Sequence, residues 1–248
     1  MRKFNLIFLI LLFLFCFSGS LFAQPAADFV FDFESFTKPI NFSSSVGLLV
    51  AIASISLIPF LLMSTTSFLR IVIVLSLLRQ AVGSQTTPPN PVIVSLALFL
   101  TVFIMSPIWT KINMEAVKPY QAGAITQEAA IQKGIQPLRN FMLKFTRKKD
   151  LALFIEFAKL KKFEKAEDIP IFVVIPAFVI SELKTAFQIS FVIFIPFVCI
   201  DFIIGNILLA LGMFMLSPVV ISLPFKLLLF VLADGWNLII RGLILSFQ

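Results

Sequence analysis

The feature that most constrains this chain is the length of its uncharged stretches. No ionisable residue occurs between Lys38 and Arg70, and residues 92–109 are also free of charge. A helix that crosses the roughly 30 Å hydrocarbon core of a bilayer needs about 20 mostly apolar residues. Only 13% of the chain is charged and 59% is hydrophobic, so a compact water-soluble fold would lack polar surface. The sequence predicts an all-α, multi-pass membrane protein of long, kinked helices and helical hairpins.

The amino terminus has the pattern of a secretory signal peptide. Two basic residues precede an apolar run at residues 4–17, and Ala23 provides a small residue at the cleavage position. We therefore predict a cleaved signal peptide at residues 1–23, followed by an extracytoplasmic lead-in at residues 24–43. An uncleaved first helix is the alternative, although the apolar run is short for a membrane span.

Residues 44–110 are predicted to form a first helical hairpin with two spans. The spans lie at residues 46–63 and 92–109, and a proline-rich turn at residues 83–91 separates them. The apolar pattern continues from the first span to Gln80. A single helix of that length would measure about 50 Å at 1.5 Å per residue, which is longer than the bilayer core is thick.

Residues 111–168 are the one long polar stretch, with twelve Lys/Arg and seven Asp/Glu residues. Apolar residues at near-heptad spacing predict an amphipathic helix that breaks at Pro137, and residues 151–163 predict a second one. The signal peptide and two spans would place this helical segment outside the cytoplasm. Its many basic residues oppose that placement, but the positive-inside rule is weak for loops of about 60 residues. The apolar residues of the first helix are Ile131, Ile135, Leu138, Met142 and Phe145.

Residues 169–248 are predicted to form a short apolar helix followed by a helical hairpin. The short helix covers residues 169–181, and the hairpin pairs residues 185–211 with residues 219–240. Between the two hairpin helices lies the break Gly-Met-Phe-Met-Leu-Ser-Pro at residues 212–218. Flexible methionines can repack around a passing chain, so the break is compatible with a pore seal. A tightly packed apolar hairpin accounts for the same residues.

Seven charged residues fall within the apolar helices, where charge is costly and usually faces protein or water. Glu182 and Lys184 are two positions apart and point in different directions on a helix, so each needs its own partner. Structural ion pairs and a proton or ion relay both remain open. We expect the seven to be buried and to pair between helices or subunits: Arg70, Arg79, Glu182, Lys184, Asp201, Lys226 and Asp234.

Several kinds of chemistry are excluded by composition. The chain has no histidine and two cysteines, and Cys16 lies in the predicted signal peptide. We therefore expect no catalytic residues, no metal site and no cofactor. The net charge of +7 comes without a nucleic-acid-binding motif, so we expect no nucleic acid partner.

Four strings of sequence form an ordered pattern across residues 45–245. They are TSFLRIVIVLSLLRQ (66–80), PPN with ALFLT and FIMSP (88–107), SELKTAFQI with FIPF (181–197), and ISLPFKL with DGW (221–236). The pattern resembles the FliP family of flagellar export-gate subunits, which includes homologous subunits of virulence-type secretion systems. The signal peptide resembles that of the flagellar branch.

The resemblance implies a pore-forming core subunit of the flagellar type III protein-export gate, multi-pass in the bacterial inner (cell) membrane at the flagellar basal body. Implied partners are further copies of the chain, FliQ, FliR, FlhB, FlhA, unfolded flagellar export substrates and membrane lipid. Met213, Phe214 and Met215 would form the gasket of the closed pore. The family usually has consecutive methionines there, proline at position 217 and glycine at position 190, whereas this chain has Phe214, Ser217 and Ser190.

Two functions of other classes can be weighed against this one. An ion-coupled small-solute transporter would show internal repeats and paired broken helices, whereas the sequence shows one clear broken hairpin and no repeat. An intramembrane enzyme would rest on Asp201 and Asp234, which lack a recognisable catalytic context. The virulence-type secretion subunit is the alternative nearest to the favoured function.

Overall fold

A computed structural model describes residues 45–84, 86–158 and 169–248. The predicted signal peptide at residues 1–23 and the lead-in at residues 24–43 lie outside this part. The described residues are helical and contain no strand, which agrees with the all-α prediction. Their helices are α1 (Ser45–Thr65), α2 (Phe68–Ala81), α3 (Asn90–Ile112), α4 (Lys118–Gln121), α5 (Gln127–Phe145), α6 (Lys148–Phe157), α7 (Ile171–Ala210), α8 (Pro218–Leu232) and α9 (Gly235–Leu245).

Two continuous helices in the described part are long and apolar enough to cross a membrane, judged by length and composition. They are Asn90–Gln121, with 32 residues, and Ile171–Ala210, with 40 residues. Two bent helix pairs also qualify if each is one broken span, which raises the possible number of spans to four. The first pair bends by 80° between α1 and α2, and the second by 63° between α8 and α9.

No single helix runs from residue 46 to residue 80, because the chain bends sharply after Thr65. The hydroxyls of Thr65 and Thr66 donate to the carbonyls of Leu61 and Leu62, both at 2.7 Å. Thr66 Oγ1 also accepts from the Phe68 amide at 3.4 Å. Such side-chain bonds compete with the helical ladder and favour its end. The overlong apolar pattern is therefore two helices.

The boundary expected between residues 110 and 111 falls inside a continuous helix, Asn90–Gln121. A π-helical turn at Asn113–Val117 joins α3 to α4. This turn approaches α5 closely, because a Cβ on Gly134 would lie 3.5 Å from the Cβ of Ala116. Pro137 does not break the amphipathic helix as expected, since it lies inside α5. The second amphipathic helix is α6, and residues 159–168 lie outside the described part.

The carboxyl-terminal third departs from its predicted pattern in two places. The short apolar helix and the first hairpin helix are one helix, α7, because Glu182 and Lys184 interrupt the apolar pattern without interrupting the backbone. The returning helix, expected to run unbroken over residues 219–240, ends at Leu232. Asp234 takes a left-handed conformation there, with φ of +48°, and redirects the chain into α9.

The core is built around α2, which packs along α7 and against α3. Its buried side chains recur every three or four residues, which gives the short helix one wide apolar face. On α7, most of the matching core residues lie in the amino-terminal half, from Val173 to Ala186, and Phe197 adds one in the other half. The remainder of α7 exposes many large apolar side chains, such as Phe191 and Phe202. The buried residues of α2 are Phe68, Arg70, Ile71, Val74, Leu75, Leu78 and Ala81.

Candidate functional site

The break between α7 and α8 is a hairpin loop with well-defined ends. Helix α7 ends in a Schellman motif: the Met213 amide donates to Leu208 O at 2.9 Å and the Gly212 amide to Leu209 O at 3.1 Å. Gly212 has φ of +71°, which a residue without a Cβ adopts readily. Helix α8 then starts at Pro218, a residue suited to the first helical position. Both helix ends therefore follow from local sequence.

The three predicted gasket residues lie together at the tip of this hairpin. Met213 is 47% exposed, Phe214 75% and Met215 100%, and the neighbouring Leu216 is exposed as well. Exposed apolar groups in such a cluster mark a surface that another apolar surface covers. The structure thus brings the three residues into one apolar tip at the end of two long apolar helices.

Arg70 and Glu182 form a fully enclosed ion pair between α2 and α7. Arg70 Nε donates to Glu182 Oε2 at 2.8 Å and Nη2 donates to Oε1 at 2.5 Å, a bidentate arrangement. The side chains are 3% and 0% exposed. Removing one member of such a pair leaves an uncompensated buried charge and typically costs about 3–5 kcal/mol. The pair therefore locks the register of α2 on α7.

Asp201 and Lys226 lie across the hairpin from each other. Lys226 Nζ donates to Asp201 Oδ2 at 2.6 Å, and Ser222 Oγ donates to Asp201 Oδ1 at 2.5 Å. Lys226 is buried and Asp201 is partly exposed. Both carboxylate oxygens are thus engaged by α8, so the cluster holds the two helices that carry the apolar tip.

Lys184 lies on the apolar helix α7, but its ion-pair partner, Asp150, lies on the amphipathic helix α6. The Asp150 carboxylate accepts from Lys184 Nζ and, at 2.8 Å, from Ser181 Oγ. Burial alone would raise the pKa of Asp150, but the hydrogen bonds from Lys184 and Ser181 and the positive charges of Lys184 and Arg147 together hold it below its ordinary value. Arg147 extends the cluster by donating to Thr185 Oγ1 and Gln188 Oε1.

The seven charged residues differ in burial and in pairing within the described part of this single chain. Lys184 is 48% exposed. Asp234 is exposed, and no described residue forms an ion pair with it. Arg79 uses its guanidinium for the connection between α2 and α3, donating to Pro88 O at 3.0 Å and Asn90 Oδ1 at 2.7 Å. Arg79 therefore stabilises a turn, whereas Asp234 lies at the break between α8 and α9.

Several partners in these clusters were not singled out from the sequence. Asp150, Ser181 and Ser222 carry no local signal, because each meets its partner only after helices distant in sequence pack together. Ser246 and Phe247, which contact Arg70, are likewise 176 and 177 residues away along the chain. Within the described residues, no group of three His, Cys, Asp or Glu side chains is placed to hold a metal ion.

Comparison with known proteins places these features in a family. The model of the FliP family matches residues 51–243, more than three quarters of the chain. The flagellar biosynthetic protein FliP of Bacillus subtilis is 51% identical over 220 residues, which cover 89% of this chain and 99% of that protein. FliP of Pectobacterium carotovorum is 50% identical, over 84% of this chain and 80% of that protein.

A third relative, FliP of Aquifex aeolicus, is 48% identical over 84% of this chain and 88% of that protein. The matched region contains the bidentate Arg70–Glu182 pair, the Asp201–Lys226 pair and the apolar tip at residues 213–215. Identity of this level over most of both chains goes with a shared fold. The chain belongs to the FliP family.

Proposed function

We propose that this chain is a pore-forming core subunit of the flagellar type III protein-export gate. Its family is a family of flagellar biosynthetic proteins rather than of enzymes, which supports a role in the flagellar export apparatus. The chain would act in the bacterial inner membrane, as a multi-pass protein of the flagellar basal body. Its helices of membrane-spanning length support that location.

The observation that carries the pore-forming role is the apolar tip of the α7–α8 hairpin. Met213, Phe214 and Met215 are all exposed on one loop, and water does not favour such a surface. Copies of the chain arranged around an axis would bring these tips together as an apolar plug. Methionine side chains can adapt their shape. The plug could therefore seal an empty pore and could also fit closely around an unfolded polypeptide in transit.

The exposed apolar surface of the long helices supports an assembly with partners. Phe187, Phe191, Ile195 and Phe202 are exposed along α7, and lipid or other subunits would cover them. We infer that the partners are further copies of the chain, FliQ, FliR, FlhB and FlhA, together with unfolded flagellar export substrates and membrane lipid. Every relative named above is a flagellar protein, so no observation favours the virulence-type alternative.

Broken helices are also a feature of ion-coupled transporters, and the structure has two bent pairs where the sequence indicated one. The bends lie at different kinds of sequence, threonines in one pair and Asp234 in the other. The bends thus share no sequence signature, and the sequence shows no internal repeat, so the export gate is the better supported function.

The decisive experiment replaces Met213, Phe214 and Met215 together with glycine in the assembled gate. We expect ions and small solutes to leak across the membrane while assembly is retained, because the apolar plug is removed and the helices are unchanged. Leakage would be measured as growth sensitivity and as ion flux in vesicles that contain the purified complex.

The matched control replaces the same three residues with leucine, which keeps the apolar bulk. We expect this variant to remain closed. Unchanged permeability of the glycine variant in an intact assembly would show that the tip is not the seal.

A further inference from the structure

Residues Ser246, Phe247 and Gln248 directly follow α9, and the first two contact Arg70 of the buried ion pair. We call the three residues the α9 strap. Arg70 Nη1 donates to Ser246 O and to Ser246 Oγ, both at 2.9 Å. The other edge of the guanidinium is occupied by Glu182. The strap therefore supplies the acceptors for Nη1 of Arg70, which Glu182 does not reach.

The strap also covers the face of the Arg70 guanidinium. The ring centroid of Phe247 lies 3.8 Å from Arg70 Cζ, a cation–π contact. Phe247 is itself buried, in an aromatic cluster with Phe141 and Phe145 of α5. Lys144 Nζ then donates to Gln248 O at 2.8 Å. Each strap residue thus has a defined contact with α2 or α5.

Without the strap, the environment of the ion pair would be incomplete. Nη1 of Arg70 would lose both of its acceptors. The guanidinium would lose the nearer of its two aromatic contacts, because the Phe145 centroid lies at 5.5 Å and that of Phe247 at 3.8 Å. An unsatisfied charged donor in a buried site is strongly destabilising, whereas a fully satisfied buried pair is tolerated. The pair joins α2 to α7, and α7 carries the apolar tip.

We propose that the α9 strap is a closing element whose role is to enclose the Arg70–Glu182 pair and so to hold α2 on α7. The strap acts through Arg70, so its residues are positioning residues for the α2–α7 contact. This inference is independent of the pore-sealing role, since it concerns the isolated subunit as well as the assembled one.

The test is a cycle of variants measured by thermal unfolding of the purified full-length protein in detergent. Residues 246–248 are deleted in the native protein and in the Arg70→Met/Glu182→Met variant, in which the ion pair is replaced by apolar side chains. We expect the deletion to lower the unfolding temperature by about 5–10 °C in the native background. In the apolar background we expect less than half of that shift, because no buried charge remains to be satisfied.

Equal shifts in the two backgrounds would overturn the proposal, because the strap would then contribute only its packing. Failure of the deletion variant to fold in the native background alone would support it, and failure in both backgrounds would overturn it. Phe247→Leu is a milder variant that keeps apolar bulk but removes the aromatic face. Its shift should also be larger in the native background than in the apolar one, and Leu245→Ala, at an exposed position of α9, should shift both equally.

Discussion

At the scale of single residues, three carboxylates in the described part of the chain are buried or partly buried, and each has hydrogen-bond donors on both oxygens. Glu182 is fully buried and receives two hydrogen bonds from Arg70. Asp201 receives one bond from Lys226 and one from Ser222. Asp150 receives one bond from Lys184 and one from Ser181. Each carboxylate thus has one cationic donor, which is the condition under which burial of a charge is affordable.

Asp150 gives a prediction about pH, because it lies outside the membrane-spanning helices. Its pKa is lowered in the folded protein, so folding favours the ionised form. The resulting stability is complete above the ordinary carboxyl pKa of about 3.9 and is lost as the pH falls through the lower folded value. We expect Asp150→Asn to lower the free energy of unfolding at pH 7 by about 1–3 kcal/mol.

The measurement is thermal or denaturant unfolding of the native protein and of Asp150→Asn between pH 7 and about pH 3, a range that crosses the ordinary carboxyl pKa of about 3.9. Comparing the two proteins at each pH cancels the titration of the other carboxylates. The difference in stability should shrink below about pH 4. A difference that stays constant over the whole range would mean that the Asp150 charge does not contribute.

At the scale of helices, local sequence decides where most elements end. Gly83, with φ of +89°, closes α2, and Gly212 closes α7 in the same manner. Asp234 is the exception, since a non-glycine residue takes the left-handed conformation between α8 and α9. The residue that follows Asp234 is Gly235, and the ring of Phe230 packs against its backbone. The break between α8 and α9 therefore requires glycine at position 235.

The two glycines of α9 give a matched prediction. A Cβ on Gly235 would lie 2.2 Å from the ring of Phe230, whereas one on Gly242 would meet nothing within 4 Å. We expect Gly235→Ala to lower the free energy of unfolding by about 1–3 kcal/mol through overpacking. Gly242→Ala should raise it by up to about 1 kcal/mol, because alanine is the better helix former.

Unfolding midpoints of the two variants in the same detergent would check this difference. A similar loss in both would argue that α9 is sensitive to any change rather than to the Phe230 contact. The ring centroids of Trp236 and Phe230 lie 5.4 Å apart in an edge-on arrangement. Trp236 therefore provides an intrinsic fluorescence signal for the same region.

At the scale of the whole molecule, large apolar areas of α3, α7 and α8 are exposed in the isolated chain. Such surfaces need a covering environment. A bilayer or sibling subunits would cover them, and both agree with a membrane protein of the FliP family. The predicted orientation places residues 111–168 outside the cytoplasm and the turn between α2 and α3 on the opposite side. This orientation remains a prediction.

Cysteine labelling would check the orientation. In a background in which Cys16 and Cys199 are replaced by serine, Ala122→Cys and Thr86→Cys each introduce one thiol at an exposed position. We expect a membrane-impermeant maleimide to label Ala122→Cys in intact spheroplasts, and Thr86→Cys only after the membrane is permeabilised. The reverse pattern would invert the proposed topology.

Much of this protein could be predicted from sequence, because the signals involved are local. Uncharged apolar runs, the glycine and proline at the ends of the α7–α8 loop, and the ordered strings around Arg70 and Glu182 indicated helices, a hairpin and a family. The loop that carries the apolar tip at residues 213–215 is also predictable from local sequence, since its two ends follow from neighbouring residues.

What only the tertiary structure decided depends on contacts between residues far apart along the chain. The partner of Lys184 is 34 residues away, that of Glu182 is 112 residues away, and Ser246 is 176 residues from Arg70. The same holds for the continuity of α7, where charges that resemble a helix boundary are accommodated by partners on α2 and α6. Local patterns determine which segments are helical and apolar, whereas the pairing of buried charges is determined by how those helices pack, because the energy of a buried charge depends on what surrounds it in space.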